Sequence, residues 1–161
     1  MKLFLAVVLF TFALLALPRC KKGKVLLVGN CKACRTSEAS VSAFPGAVVR
    51  FNGSMGPRTD VMVWADDLFR SPEGIRAKKR VPRHVLHKLR SEFEPFPSKH
   101  STGFLVWKRY TDEGQDVYCT GFDFGGSVSE STKNYGRKTY NHAWHKERRV
   151  AKEDPKWKEW K

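Results

Sequence analysis

The sequence predicts an α/β sandwich built on a mostly parallel central sheet. The clearest sign is the run Val25-Leu26-Leu27-Val28, which is apolar throughout and ends at Gly29-Asn30. Continuous apolar runs of this length are typical of parallel strands buried on both faces. Strand-like and helix-like segments alternate along the rest of the chain, as they do in α/β proteins. With 161 residues, of which 41% are hydrophobic, the chain suffices for one domain with its own core.

The first half of the chain contains three predicted strands and one short helix. β-Branched and aromatic residues favour the strands, and Ser37 carries a hydroxyl suited to capping a helix N-terminus. Residues 68–94 are basic and contain Pro72 and Pro82, so we expect broken helices around a cleft there rather than core. The predicted elements are a strand at 24–28, a helix at 36–44, and strands at 47–52 and 59–65.

The second half is predicted to add two helices and a fourth strand. A helix over 102–110 begins at Ser101 or Thr102, since either hydroxyl can cap it. The strand at 116–120 ends at Gly121-Phe122, a loop opens at 125–127, and a closing helix covers 142–153. The aromatic residues Trp64, Trp107 and Tyr110 are interpreted as core rather than as platforms for a sugar ring.

The chain is strongly basic, with a formal net charge of +14. Such a charge predicts affinity for anions, among them nucleic acid, acidic membranes and phosphorylated or carboxylated ligands. Residues 76–90 carry seven Lys or Arg and no acid, whereas acids are interspersed in the basic segment from Lys146 onward. The first block suits an acidic partner, and the second resembles a solvated helix face.

The N-terminal residues 1–20 are expected to be a targeting segment. Leu3 to Leu17 is apolar except for Thr11, and as a helix it would span about 22 Å, less than the ~30 Å hydrocarbon thickness of a bilayer. Leu17-Pro18-Arg19 lacks the small residues of a cleavage site, which favours an uncleaved signal anchor over a cleaved signal peptide. We therefore expect membrane association through this segment, a domain over 24–153 and a basic tail over 154–161.

Four cysteines occur, at positions 20, 31, 34 and 119. Cys31-Lys32-Ala33-Cys34 is compatible with a redox pair whose thiolates are favoured by a helix start and by Lys32 and Arg35. It is also compatible with half of a zinc site, but no second Cys-x-x-Cys exists and the histidines are scattered. The preferred interpretation is a cysteine pair beside a turn.

Several segments resemble, in family order, three motifs of the eukaryotic-type sialyltransferases. Residues 28–30, 48–52 and 56–60 resemble the large motif, residues 97–105 with 116–122 the small motif, and His142 with Glu147 the His-x4-Glu very small motif. The resemblance covers roughly residues 24 to 150. The ordered set is more specific than any one motif.

The resemblance implies a GT-A-like (Rossmann-like) fold and a metal-independent, inverting transfer of sialic acid or a related acidic sugar. The donor would be a CMP-sugar, which is a co-substrate rather than a cofactor, and the acceptor a glycan hydroxyl. If the source is eukaryotic, the family's location is a Golgi-type lumen. The implied general base is His142, and the implied nucleotide-binding residues are Asn30, Asn52, Ser101, Thr102, Gly103 and Gly121.

Elementary chemistry supports the roles that the resemblance implies for these residues. Ser101 to Gly103 lie where a loop becomes a helix, so backbone N–H groups and two hydroxyls can cradle a phosphate. An imidazole such as His142 titrates near neutral pH and suits removal of a hydroxyl proton. Glu147 is more than one helical turn from His142, so we expect it to orient a neighbouring element.

Further residues keep two interpretations each. His100 either touches phosphate or caps the following helix, and Arg58 either grips the substrate or is structural. His142 is either the base or an ordinary exposed histidine at a helix start, and His145 is a rival base that the spacing to Glu147 disfavours. Asp66-Asp67 suggests the alternative of a metal-dependent transferase, but the Asp-x-Asp pattern that holds the metal is absent, so no metal is expected.

The chain also departs from the family pattern. The family disulfide has no counterpart because Lys24 stands at the entry to the first strand, Lys99-His100 interrupts the small motif, and the chain is short. A non-catalytic remnant that binds glycan or nucleotide is therefore the alternative function. A basic nucleic-acid-binding protein is a further one, although no nucleic-acid motif is present and we expect no such partner.

Overall fold

Six parallel strands form one sheet in the computed structural model, which describes residues 23–94, 99–125 and 142–161. The order of the strands across the sheet is β4-β3-β2-β1-β5-β6, and every pairing in the described chain is parallel. The predicted anchor, Pro97-Ser98 of the small motif and the loop at Gly126-Ser127 lie outside the described residues. The strands are β1 (Lys24–Val28), β2 (Ala47–Phe51), β3 (Val61–Trp64), β4 (Leu86–Leu89), β5 (Asp116–Thr120) and β6 (Lys158–Glu159).

Helices flank this sheet, so the predicted α/β fold with a parallel, Rossmann-like sheet is confirmed. Ser37 and Ser101 are the N-caps of α1 and α4, where their hydroxyls accept from the N–H groups of Ser40 and Phe104. None of the described helices is long and apolar enough to cross a membrane. The helices are α1 (Glu38–Ser42), α2 (Asp66–Arg70), α3 (Pro72–Lys78), α4 (Thr102–Asp112) and α5 (Trp144–Glu153), with a 3₁₀ turn at Arg90–Glu92.

Two strands were not predicted. Broken helices do occur in the basic region, as α2 and α3, but the same region also contains β4. The expectation that this region is not core was wrong, because Leu68, Ala77, Val81 and Val85 are buried in one hydrophobic cluster. Strand β4 was missed because Leu86-His87-Lys88-Leu89 mixes polar with apolar residues and its side chains are only partly buried, as suits the edge of a sheet. Strand β6 has two residues, too few for a periodic signal.

The hydrophobic core lies on both faces of the sheet, because successive strand residues point to opposite sides. Leu27 and Val49 pack with α4 residues such as Trp107, whereas Leu26 and Val48 pack with Val41 and Phe44 on the α1 side. Trp64 belongs to a third cluster beneath α2 and α3. Trp64 and Trp107 are 0% and 4% exposed, which confirms their assignment to the core.

The strand order reverses direction between β1 and β5. From β1 the chain adds β2, β3 and β4 on one side, then returns to add β5 and β6 on the other. In open α/β sheets the ligand binds outside the carboxyl ends of the strands at such a switch point. The fold therefore directs attention to the residues that follow β1 and β5.

Candidate functional site

The carboxyl edge of the sheet carries most of the predicted site residues. Asn30, Asn52 and Gly121 follow the ends of β1, β2 and β5, which are parallel neighbours and so end at the same edge. Helix α4 begins at Thr102 and leads back to the start of β5, so its N-terminus lies at this edge too. The contact between Gly103 and Phe122, the residue after Gly121, establishes this placement.

Gly29 and Gly121 bring the ends of β1 and β5 into backbone contact. A Cβ on Gly29 would lie 2.2 Å from the carbonyl oxygen of Gly121, closer than any real contact allows. Gly121 also has a φ of +75°, which favours glycine. Its carbonyl accepts from Cys31 N at 3.0 Å, and Gly29 N donates to Thr120 O at 2.8 Å. Glycine is therefore required at both positions for this backbone joint between the ends of β1 and β5.

Phe122 connects this joint to the tip of α4. A Cβ on Gly103 would lie 2.4 Å from Cε1 of Phe122, so the ring rests directly on the helix backbone. The same ring meets Phe51 at the end of β2, with ring centroids 6.2 Å apart. The tip of α4 is consequently held over the carboxyl ends of the central strands.

Glu147 joins α5 to the N-cap of α4. Its Oε1 accepts from Ser101 N and its Oε2 from Ser101 Oγ, both at 2.7 Å, and Glu147 is 1% exposed. A buried carboxylate at a helix N-terminus is favoured by the unsatisfied N–H groups there. Glu147 thus orients a neighbouring element, which is the role expected from its spacing.

His142 lies beside the same helix tip. Its Nδ1 is 3.2 Å from the carbonyl oxygen of Lys99, which also accepts from Ala143 N at 2.9 Å. Because a carbonyl can only accept, this contact favours the tautomer with its proton on Nδ1. Burial lowers the pKa of His142, and the charge of Arg90 acts in the same direction, while the Lys99 carbonyl and Glu147 raise it. The net lowering favours the neutral imidazole, with a lone pair on Nε2.

His100 contacts Glu147 rather than capping α4. Its Nδ1 is 3.4 Å from Oε1 of Glu147, and its ring stacks on Phe104 with centroids 4.7 Å apart. The cap is Ser101. Four predicted residues, His100, Ser101, His142 and Glu147, therefore form one cluster at the tip of α4.

Asn52 has structural partners at the carboxyl edge. Its N–H donates to Val63 O at 2.9 Å, its Oδ1 accepts from Ala65 N at 2.7 Å, and its φ is 53°. Asparagine is one of the few residues that tolerate this conformation. Asn52 therefore fastens the end of β2 to the start of α2. Asn30 is partly exposed at the end of β1.

Arg58 lies at the opposite, amino edge of the sheet. Its guanidinium donates to the carbonyls of Ser42, Phe44 and Gly46, the last two at 2.5 Å, and pairs with Asp60 at 3.3 Å. Gly46 precedes β2 and Asp60 precedes β3. Arg58 thus has a structural role and is outside the cluster at the α4 tip.

A buried ionic group on the α1 face was missed by sequence reasoning. Arg50 on β2 is 0% exposed and pairs with Glu38 at 2.5 Å, and Arg35, with its side chain 5% exposed, pairs with the same carboxylate at 3.0 Å. An arginine inside an otherwise apolar strand was the available signal, since buried charges are almost always paired.

The Cys-x-x-Cys segment follows β1 at the switch point. No helix begins there, because α1 starts at Glu38, and Arg35 is engaged by that residue. The hydrogen bond to Cys31 raises the pKa of Cys34 to about 11, with burial adding to the effect. The favoured thiolate that the redox-pair alternative requires is therefore not found at Cys34.

A cavity of about 430 Å³ opens beside this segment at the ends of β5 and β6. Its wall includes Cys34 and Arg35 from this segment, Thr120 at the end of β5, and Trp157 and Lys161 on either side of β6 in the sequence. Within the described ranges, no group of three or more His, Cys, Asp or Glu side chains is arranged to hold a metal ion.

No protein-family model, no curated protein and no solved structure matches this chain. The resemblance to the sialyltransferases rests on the residues of the three motifs alone.

Proposed function

We propose that this protein is a metal-independent glycosyltransferase that moves sialic acid, or a related acidic sugar, from a CMP-sugar to a glycan hydroxyl. The observation that carries the proposal is the contact between Glu147 and Ser101. It brings His142, the implied base, to the helix tip that is implied to hold the nucleotide phosphate. Two of the motifs that carry the resemblance, far apart in the sequence, are thereby in contact, which supports the proposal.

The base chemistry follows from the environment of His142. With its Nδ1 proton directed to the Lys99 carbonyl, the imidazole accepts a proton at Nε2. Because burial lowers its pKa, the ring is uncharged near neutral pH and can accept a proton. In the transfer, Nε2 would take the proton of the acceptor hydroxyl while that oxygen attacks the anomeric carbon and the bond to the CMP phosphate breaks.

The leaving group needs positive or N–H-rich surroundings. The first N–H groups of any α-helix have no intrahelical acceptor, and in α4 these belong to Thr102 and Gly103. The N–H of Ser101 already donates to Glu147, so Thr102 and Gly103 are the groups assigned to phosphate. The charge of Arg90 lowers the pKa of His142, so a cation lies near enough to act on this cluster.

The test is nucleotide selectivity followed by turnover. In the presence of a chelator, calorimetry should detect CMP in preference to AMP and UMP. Incubation with labelled CMP-sialic acid and a panel of glycan acceptors should yield labelled product. His142→Ala should abolish the product but retain CMP binding, and His84→Ala, in an exposed turn, should behave as the wild type. Binding that does not distinguish the nucleotides would refute the proposal.

One observation favours the alternative of a binding protein without transfer activity. Ser101 directs both its N–H and its hydroxyl to Glu147, which leaves this residue little to offer a phosphate. Selective CMP binding without any product would identify this alternative. Binding to unrelated nucleic acids that falls steeply with added salt would instead indicate the function suggested by the net charge alone.

A further inference from the structure

The loop from Cys31 to Cys34 is closed onto a single residue of the neighbouring strand end. Cys31 N donates to the carbonyl of Gly121 at 3.0 Å, and Gly121 N donates to the carbonyl of Cys34 at 3.2 Å. A turn inside the loop is closed by Arg35 N and Lys32 O at 3.3 Å. Both cysteine backbones are thus held on the same residue, which brings the two cysteines together.

The two thiols are in hydrogen-bonding contact and differ in exposure. Cys34 is exposed and lies on the wall of the cavity at the end of β5, so a small molecule can reach its sulfur. Cys31, its hydrogen-bonding partner, is 6% exposed. An exposed thiol beside a buried one is the arrangement of an entering thiol and a resolving thiol. Cys119 also lines this cavity, but it is only 2% exposed.

We propose that Cys31 and Cys34 form a disulfide by exchange with a small organic disulfide. The Cys34 sulfur, having lost its proton, attacks one sulfur of the small disulfide, which releases one thiolate and leaves a mixed disulfide. The Cys31 sulfur then attacks the Cys34 sulfur and releases the second thiolate. The two departing thiolates take up the two protons that the cysteines lose, so the small disulfide is reduced as the protein is oxidised.

The surroundings of the pair predict how it behaves. The pKa of Cys34 is about 11, so little thiolate exists at neutral pH and exchange should be slow there. A tenfold increase in initial rate per pH unit is expected below that value, provided attack by Cys34 limits the rate. Because the reduced form gains little from a stabilised thiolate, the disulfide should persist once formed. These properties suit a bond that secures the loop after β1 rather than a catalytic dithiol.

The experiment uses the full chain with Cys20→Ser, incubated with oxidised glutathione at pH 8.5 and followed by intact mass. We expect a loss of two hydrogens, with no lasting glutathione adduct, and a Cys31–Cys34 cross-link in the peptide map. Cys31→Ser should stop at the mixed disulfide on Cys34, and Cys34→Ser should remain reduced. Cys119→Ala, the matched buried control, should oxidise as the parent does.

Two results would overturn the inference. One is a stable glutathione adduct on Cys34 while Cys31 is still present, which would mean that Cys31 cannot resolve it. The other is a parent protein that stays fully reduced, or is cross-linked through Cys119. None of these readouts depends on transferase activity, so the proposed function can fail while the disulfide stands, and the reverse.

Discussion

Glu147 holds both polar groups of Ser101, with 2.7 Å between each pair of bonded atoms. The two residues are 46 positions apart, and the carboxylate is almost completely buried. These two bonds join α5 directly to the N-cap of α4, and together with the contacts of His142 and Ala143 with Lys99 O they place His142 beside that helix. Their loss should therefore affect stability and, under the proposed function, sugar transfer.

Replacing Glu147 with glutamine should lower the free energy of unfolding by about 2–3 kcal/mol. Glutamine keeps one oxygen for Ser101 N, but its NH₂ group forces the Ser101 hydroxyl to accept rather than donate, and both charge-assisted hydrogen bonds are lost. Urea unfolding followed by circular dichroism measures the change. Glu153→Gln, on the exposed end of α5, is the control and should leave the midpoint unchanged. Equal midpoints for both variants would mean that the pair contributes no stability.

His87 should make the protein less stable below neutral pH. Trp64 Nε1 donates to His87 Nδ1 at 2.9 Å, so Nδ1 must be unprotonated. Burial lowers the pKa of His87, and Lys78 adds to this. Between that lowered pKa and the ordinary 6.5, the unfolded chain binds more protons than the native one, so stability falls as the pH falls through this interval.

His87→Phe should reduce this dependence, measured as urea midpoints from pH 8 to pH 5. His142 also has a lowered pKa and contributes with the same sign, so part of the slope should remain. His84→Phe, in the exposed turn before β4, is the control and should keep the wild-type slope. An unchanged slope in His87→Phe would contradict the interpretation.

Gly29→Ala should lower the free energy of unfolding by at least about 3 kcal/mol or prevent folding. The added Cβ would meet the Gly121 carbonyl, which is fixed by its bond to Cys31 N. Gly114→Ala provides the comparison, because Gly114 is exposed and has a φ of 77°, so only backbone strain of about 1 kcal/mol is added there. Thermal unfolding of the two variants shows whether the close contact at Gly29 costs more stability than the backbone strain at Gly114.

Glu38→Ala should cost about 2–3 kcal/mol of unfolding free energy, because it leaves Arg50 buried without a counter-charge. Adding Arg50→Met removes the buried charge, so the double variant should be more stable than Glu38→Ala alone. Glu73→Ala removes the partner of Arg76 on the surface of α3, where a small change is expected. A double variant less stable than Glu38→Ala would show that Arg50 is held by other contacts.

The parts of the fold that sequence reasoning captured are those with a local signal. The central strands are apolar runs that end at Gly or Asn, and β1 and β5 have the predicted limits. The cap at Ser37 was predicted from its hydroxyl before a helical segment, and Ser101 is one of the two residues proposed for the start of α4. Strands β4 and β6 lie at the edges of the sheet, and their place is set by tertiary pairing with β3 and β5 rather than by composition.

In the candidate site, too, some features could be predicted from the sequence and others could not. Parallel strands place their last residues at one edge, so the common location of Asn30, Asn52 and Gly121 follows from topology. The hydrogen-bonding and ionic partners of individual side chains do not follow from topology. Glu38 meets Arg50 only because α1 folds back over β2, and Arg58 turns to the amino edge because three carbonyls converge there.

Strand β6 has a consequence for synthesis on the ribosome. Trp157 packs on Trp107 with ring centroids 5.1 Å apart, and Trp160 packs on Phe44 at 5.0 Å, so this short segment completes the aromatic packing on both faces of the sheet. Until residues 157–160 emerge from the exit tunnel, β5 presents an unpaired edge and nearby aromatic rings lack their covers. A nascent chain stalled before that point should recruit chaperones or self-associate.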